Sequence, residues 1–255
     1  MMNISETVKQ LLIINIIFYI GSQIVGPPAY DILALHFPQN PDFQFWQPVT
    51  YMFMHSQFAR GAGIFHILFN MFALVSFGSL LERIWGAKKF LFFYVSCGLG
   101  AAALHLAVSY FSFNQGIETL IANGVPKDQI MALLSKGHYD PRWEEMMTHN
   151  QFTEFMSSYL IPMVGASGAI YGLMVAFAFL APNAELMMMF IPIPIKAKYF
   201  VPGILALDLF LGLRGQSIFG SGGGIAHFAH IGGALVGFIM MYYWSKNSFN
   251  NNRWN

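Results

Sequence analysis

Six apolar runs dominate the chain, near residues 8–26, 63–81, 90–111, 163–181, 197–213 and 225–244. Runs of this kind match the ~30 Å hydrocarbon core of a bilayer when helical. Within lipid every backbone N–H and C=O must find its partner inside the protein, which leaves helices or closed barrels as spanning structures. The runs therefore predict an all-α polytopic membrane protein built on a six-helix transmembrane bundle, as a single domain over residues 1–255. Only 10% of the residues are charged and 56% are apolar, against about 25% charged in soluble domains. That is too little charge to cover a surface facing water. The net charge of +1 offers nothing to draw nucleic acid, and one cysteine, Cys97, cannot form an internal disulfide. The first run has no basic segment before it and no small-residue cleavage site before Pro27, so it reads as a retained span rather than a signal peptide.

The connections differ in kind. Residues 29–62 mix aromatics, prolines and polar groups, and predict an irregular first loop that dips into the interface, where Trp and Tyr are favoured. Residues 113–160 are the longest polar interruption. Pro126-Lys127-Asp128 and Asp140-Pro141-Arg142 read as helix starts and Gly137 as a stop, giving a helical insertion between spans three and four. It is read as a surface elaboration, with gating or selection of substrate as the alternative. Pro192 and Pro194 turn the apolar run from Met187 to Ile195 into an expected turn at the membrane face. Ser221–Gly224 reads as a glycine-rich loop, and an asparagine-rich tail closes the chain.

Sorting the loops alternately places Lys9, Arg83, Lys88, Lys89, Lys196, Lys198, Lys246 and Arg253 on one side. Arg60, Lys127, Lys136, Arg142 and Arg214 fall on the other, although its loops are longer. The positive-inside rule then puts both termini in the cytoplasm. The N-terminal ends of spans two, four and six point outward, and His66, Ser167, His227 and His230 all lie near those ends.

Within span four, Val164-Gly165-Ala166-Ser167-Gly168-Ala169-Ile170-Tyr171-Gly172 surrounds one serine with small residues. In a helix Ser167 and Tyr171 share a face, and Ser167 lies in the first turn, where N–H groups lack intrahelical partners. A hydroxyl beside free donors is a candidate nucleophile beside a candidate oxyanion site. The alternative is a plain small-residue packing face. His66 and Asn70 share a face of span two. Gly168 and Gly172 on span four, and Gly233 and Gly237 on span six, form two G-x-x-x-G faces. If those faces meet, His230 comes within reach of Ser167.

Three reasons for such a polar cluster compete: serine hydrolysis, an ion or proton path through His66, His227, His230 and Asp208, or hydrogen bonding between helices. On the first, Ser167 attacks, His230 is the base, and His66, Asn70 and the Ser167 N–H surround the oxyanion while Tyr171 packs on the base. No acid lies near the C-terminal histidines in sequence, so a Ser-His dyad is expected. His227 reads as a loop-end or gating residue and His105 as a packing residue. His227-x-x-His230 lacks the His-Glu-x-x-His pattern and an accompanying carboxylate, which argues against zinc. No metal or cofactor is expected. Asp208, an intramembrane acid, is a functional candidate without an assigned partner.

Gly165-x-Ser167-Gly168-x-x-Tyr171, His66-x-x-x-Asn70 and Ala229-His230-x-x-Gly233, in that order of spans, resemble the rhomboid family of intramembrane serine proteases. Each motif is weak alone, and the three together cover nearly the whole chain. The resemblance implies a cavity open to the non-cytoplasmic side and cleavage of single-span or other membrane-anchored proteins. It also implies Ser167 as nucleophile, His230 as general base, and His66, Asn70 and the Ser167 N–H as the oxyanion hole. Glu82 falls on a glutamate at the inner end of the second span, and His55 on a loop histidine. Entry of substrate is expected laterally between spans two and five, where Pro202 and Gly203 permit bending. The expected location is a bacterial plasma membrane. Trp46-Gln47 departs from the family's Trp-Arg, so the arginine's anchoring of the first loop is absent or replaced. The insertion exceeds the minimal pattern, and neither a soluble N-terminal domain nor a seventh span is expected. An inactive relative that binds membrane proteins, or a transporter, remains the alternative.

Overall fold

The computed structural model describes residues 4–58, 63–188, 191–215 and 224–251. The chain starts with α1 (Glu6–Val25), whose end is set by Gly26 and the Pro27-Pro28 pair that opens α2 (Pro27–Leu33). The first loop carries α3 (Gln47–Thr50) and a 3-10 turn, Tyr51–Phe53. The second long helix is α4 (Gly63–Ala73), a π-helical turn (Leu74–Gly78) and α5 (Ser79–Trp85). Then come α6 (Ala87–Ala122), α7 (Lys127–Leu134), a 3-10 turn (Pro141–Glu145), α8 (His149–Leu160) and α9 (Ser167–Leu180). A hairpin of β1 (Glu185–Met188) and β2 (Ile191–Lys196) leads into α10 (Ala197–Leu213), and α11 (Ile225–Asn251) ends the described chain.

Among the described residues four helical segments are long and apolar enough to cross a membrane: Glu6–Val25, Gly63–Trp85, Ala87–Ala122 and Ile225–Asn247. α9 is a shorter apolar helix. Its 14 residues give a rise of about 21 Å, because the segment before it, 161–166, is not helical. Large apolar side chains such as Ile17, Ile24, Phe92 and Phe238 point outward, an arrangement suited to lipid and costly in water.

Several boundaries differ from those read in the sequence. The third run does not stop near residue 111 but continues as one helix to Ala122. At 1.5 Å per residue α6 is about 54 Å long, well beyond a bilayer's hydrocarbon core. Its C-terminal end carries Phe113, Ile117 and Leu120, which form a second apolar core with Ile130, Leu134, Trp143, Phe155 and Tyr159 of the insertion and Phe37 of the first loop. The expected turn at 187–195 is a two-stranded antiparallel hairpin, Glu185 opposite Lys196, so the chain is not purely α-helical. Pro192 and Pro194 fit there because a two-stranded ribbon has only edge strands. Of the glycine-rich loop at 221–224, only Gly224 lies within the described residues, and the last residues of the tail lie outside them.

The first loop is held at a buried glutamine. The Gln47 side chain accepts from the His36 N–H at 3.2 Å and donates to the carbonyls of Asp31 and Asp42 at 3.0 and 2.8 Å. Trp46 donates its indole N–H to the Ile32 carbonyl. Where the resemblance led to an expected arginine, the anchor is an amide, which offers acceptor and donor together. Glu82, at the inner end of the second helix, accepts from the Ser5 hydroxyl and from the Thr7 and Val8 N–H groups. It caps α1, whose first N–H groups have no partners of their own.

Candidate active site

Three elements converge on Ser167. The first loop pairs with the segment ahead of α9: Leu35 and Met163 exchange backbone hydrogen bonds, and the Gly165 N–H donates to the Tyr51 carbonyl at 3.0 Å. Tyr51 is itself tied to α6 through its hydroxyl and the Gly98 carbonyl, 2.7 Å. Gly165 has φ +122°, and a Cβ there would stand 3.0 Å from the His66 imidazole. Glycine therefore allows both the turn and the approach of His66 to Ser167. Ser167 is the first residue of α9, so its N–H and those following it are free to face the site.

α9, α11 and α6 meet backbone to backbone. An added Cβ on Gly233 would fall 1.9 Å from the Gly168 carbonyl oxygen, and one on Gly237 2.8 Å from the Gly172 Cα. The two G-x-x-x-G faces do meet, with α6 as a third participant: a Cβ on Gly168 would strike Ala101, and one on Gly172 would strike Cys97. This contact brings the Ser167 hydroxyl to 2.9 Å from His230 Nε2. The Tyr171 ring lies flat on the His230 imidazole, centroids 4.2 Å apart and planes 7° from parallel.

On the far side of His230, the expectation of an acid-free pair fails. Asp208 of α10 places its Oδ1 3.2 Å from His230 Nδ1 and 2.5 Å from His227 Nδ1. The carboxylate is 22 residues from His230 in sequence and arrives on another helix, so sequence proximity was the wrong measure. The same contact removes one premise of the argument against a metal: Asp208, His227 and His230 offer three ligand atoms within 4.8 Å of one another.

His66 faces the serine from α4. Its Nδ1 accepts from the Ser56 N–H at 3.2 Å, and the Ser56 hydroxyl lies at the same distance. In the neutral ring this leaves the proton on Nε2, the nitrogen near Gly165. Ser56 was not singled out in the sequence; its signal was only its position beside His55. The Asn70 amide donates to the His66 carbonyl at 2.7 Å, and its side-chain oxygen is buried without a partner. His55 is buried and hydrogen-bonds Asn15 of α1 at 2.9 Å. His105 reaches the backbone of Ile225.

The apolar helices describe a multi-pass membrane protein, with a polar cluster drawn from α4, α9, α10 and α11. The rhomboid domain pattern covers residues 42–124 and 141–247, more than half of the chain, and the chain belongs to the rhomboid family. It is 26% identical over 221 residues to an uncharacterized mitochondrial rhomboid protein of Schizosaccharomyces pombe, covering 80% of this chain and 53% of that protein. It is 25% identical over 195 residues to the mitochondrial Rhomboid protein 1 of Saccharomyces cerevisiae, covering 76% of this chain and 40% of that one. The chain thus spans about half the length, or less, of these relatives.

Proposed function

We propose that the chain is an intramembrane serine endopeptidase that cuts membrane-anchored proteins, with α9 and α10 completing a six-span bundle. The observation that carries the reading is the 2.9 Å approach of the Ser167 hydroxyl to His230 Nε2, within a member of the rhomboid family. Ser167 Oγ attacks the scissile carbonyl carbon while its proton passes to His230 Nε2. The carbonyl π pair moves onto oxygen, where the Ser167 N–H and the Nε2–H of His66 can receive it, each such donor being worth roughly 3 kcal/mol. Asn70, the third donor proposed there, gives one amide hydrogen to the His66 carbonyl and keeps its second N–H for the oxyanion. His230 then gives its proton to the leaving amine, and water releases the acyl group by the same steps in reverse.

The substrate must offer extended backbone, since an intact helix hides its peptide bonds. Lateral entry beside α10 is the proposed route. Among the described residues α10 packs against α9 and α11 rather than α4, and it has Pro202 inside it. The side richer in Lys and Arg carries both termini, opposite the mouth of the site. Both relatives are named as mitochondrial, so the bacterial plasma membrane expected from the sequence is not carried forward, and the location proposed is a membrane alone.

The test is reconstitution in lipid vesicles with a labelled single-span substrate. Wild type cleaves it, and Ser167→Ala abolishes cleavage and fluorophosphonate labelling together. Cleavage that survives Ser167→Ala overturns the mechanism. Substrate bound but never cut by wild type points to the inactive binder, and ion flux indifferent to Ser167→Ala points to the transporter.

A further inference from the structure

We infer that Asp208 is a positioning residue for His230, and that His227 competes with His230 for the same carboxylate oxygen. The inference rests on the serine-protease reading above. For His230 to take the Ser167 proton on Nε2, its Nδ1 must carry the other proton and needs an acceptor. Asp208 Oδ1 is 3.2 Å from that nitrogen. The Asp208 side chain is 7% exposed, so little water competes for it. It selects the reactive tautomer and favours the imidazolium that forms as Ser167 attacks, the part a buried acid plays in a serine triad.

The pairing is shared and unequal. His227 sits one turn before His230 on α11, is buried, and meets the same Oδ1 at 2.5 Å. Its Nε2 is buried without a hydrogen-bond partner, and the Tyr171 hydroxyl is a third group on the Asp208 carboxylate. A carboxylate oxygen drawn to two imidazoles holds each less firmly than it would hold one. Asp208 thus holds the His230 ring less firmly than an unshared acid would, and His227 sets how firmly.

The other titratable groups facing His230 are Tyr171 of α9, stacked on the ring with its hydroxyl directed toward Asp208, and His66 of α4. Cys97 and His105 of α6 meet α11 near Gly233 and Ile225, and Glu154 of α8 lies near Gly215.

The experiment is a pH–rate profile of the reconstituted full chain on the labelled single-span substrate. It compares wild type, Asp208→Asn, His227→Ala and Ser167→Ala. Asp208→Asn lowers kcat about 10- to 100-fold, less than loss of an unshared triad acid, and leaves KM in place. It moves the acidic limb of the profile to lower pH, because the imidazolium loses its counter-charge. His227→Ala moves that limb the other way, because Asp208 is released to His230. A profile and kcat like wild type in Asp208→Asn overturn the inference. If Asp208→Asn does not fold, an unmoved limb in His227→Ala overturns it and an upward move supports it. Cleavage that persists in Ser167→Ala is the separate failure of the serine mechanism itself.

Discussion

Around Ser167 the helices touch through glycine and alanine, whereas the C-terminal end of α6 touches the insertion through aromatic rings. Gly233 and Gly168 bring backbones together. Phe113 sits 4.8 Å from Phe37, 5.6 Å from Phe155 and 5.4 Å from Tyr159, ring centre to ring centre. Lipid tails are as apolar as leucine, so large side chains gain little by leaving them, and helices associate where close approach adds dispersion and short polar contacts. Water gives rings a strong reason to hide, roughly 25 cal/mol per Å² of apolar area. A glycine serves each region differently. At Gly233 it admits a neighbouring backbone, and at Gly116 it admits a ring, for a Cβ there would lie 2.2 Å from Phe155 Cδ2. The change of packing style along α6 suits a helix about 54 Å long, which exceeds a bilayer's hydrocarbon core.

The sharpest way to break this comparison is a bulky residue in the backbone contact. Gly233→Leu must push α11 from α9, because its Cβ would overlap the Gly168 carbonyl at 1.9 Å. Cleavage of the labelled substrate falls by about a hundredfold or more, given that an ångström of misplacement alone costs about that much, although Ser167 and His230 remain. An unchanged rate would show that close packing does not set the Ser–His distance. The counterpart in the other region is Phe155→Ala. It removes a fully buried ring and costs about 3–5 kcal/mol locally, read as faster limited proteolysis between residues 123 and 160. Cleavage stays within about threefold of wild type if the cap is a separate core. A loss of cleavage as deep as that of Gly233→Leu would show that the two cores are one cooperative unit.

Sequence patterns carried the spanning helices because charge is so expensive in lipid that its absence is easy to read. The bounds expected for the fifth run, about 197–213, coincide with the helix α10, which is not among the four described segments long and apolar enough to cross a membrane. The C-terminal third of α6 was missed for the opposite reason. Asn114, Gln115 and Glu118 read as a loop, while Phe113, Ile117 and Leu120 form the apolar stripe of a helix facing the cap. At the site, Ser167, His230, His66 and Gly165 were all visible as residues, since small and polar groups stand out among apolar ones. Their orienting partners were legible only in part: Asp208 stood out as an intramembrane acid and Gln47 as a departure from Trp-Arg, both without a contact to explain them, and Ser56 did not stand out at all. Asp208, Ser56 and Gln47 come from other elements, and the contacts that give them meaning exist only once the chain has folded.

The first loop joins the two regions, with Phe37 in the second core and Leu35, Tyr51 and Met52 packed under the site. Gln47→Ala would leave the His36 N–H and the Asp31 and Asp42 carbonyls without their partners. The cost is about 1–2 kcal/mol, chiefly the penalty of leaving the buried His36 N–H unpaired, because Asp31 and Asp42 are exposed and water can reach their carbonyls. Differential scanning of the detergent-solubilised protein would read it as a lower midpoint, with limited proteolysis opening first between residues 31 and 58. Unfolding at the wild-type midpoint would mean that the loop does not couple the two cores.

A smaller and more specific effect comes from His55, at the inner edge of that loop. Its Nε2–H donates to Asn15 Oδ1 at 2.9 Å, and its Nδ1 is buried without a partner. Burial, with the neighbouring His66 second, pushes the His55 pKa down from 6.5 to about 3. The folded protein therefore keeps this imidazole neutral where an unfolded chain would protonate it. Between those two values the unfolded state binds more protons, so the contribution to stability is whole above pH 6.5 and is lost as pH falls toward 3. Replacing His55 with Asn removes the titration but also the contact with Asn15, so the variant is less stable at pH 7 and its midpoint falls less steeply with acid. The difference between the two pH curves isolates His55 from the other groups that titrate over the same range. Parallel curves would mean that the loop lets water reach Nδ1, and that the first loop is wetter than the helix contacts beneath it.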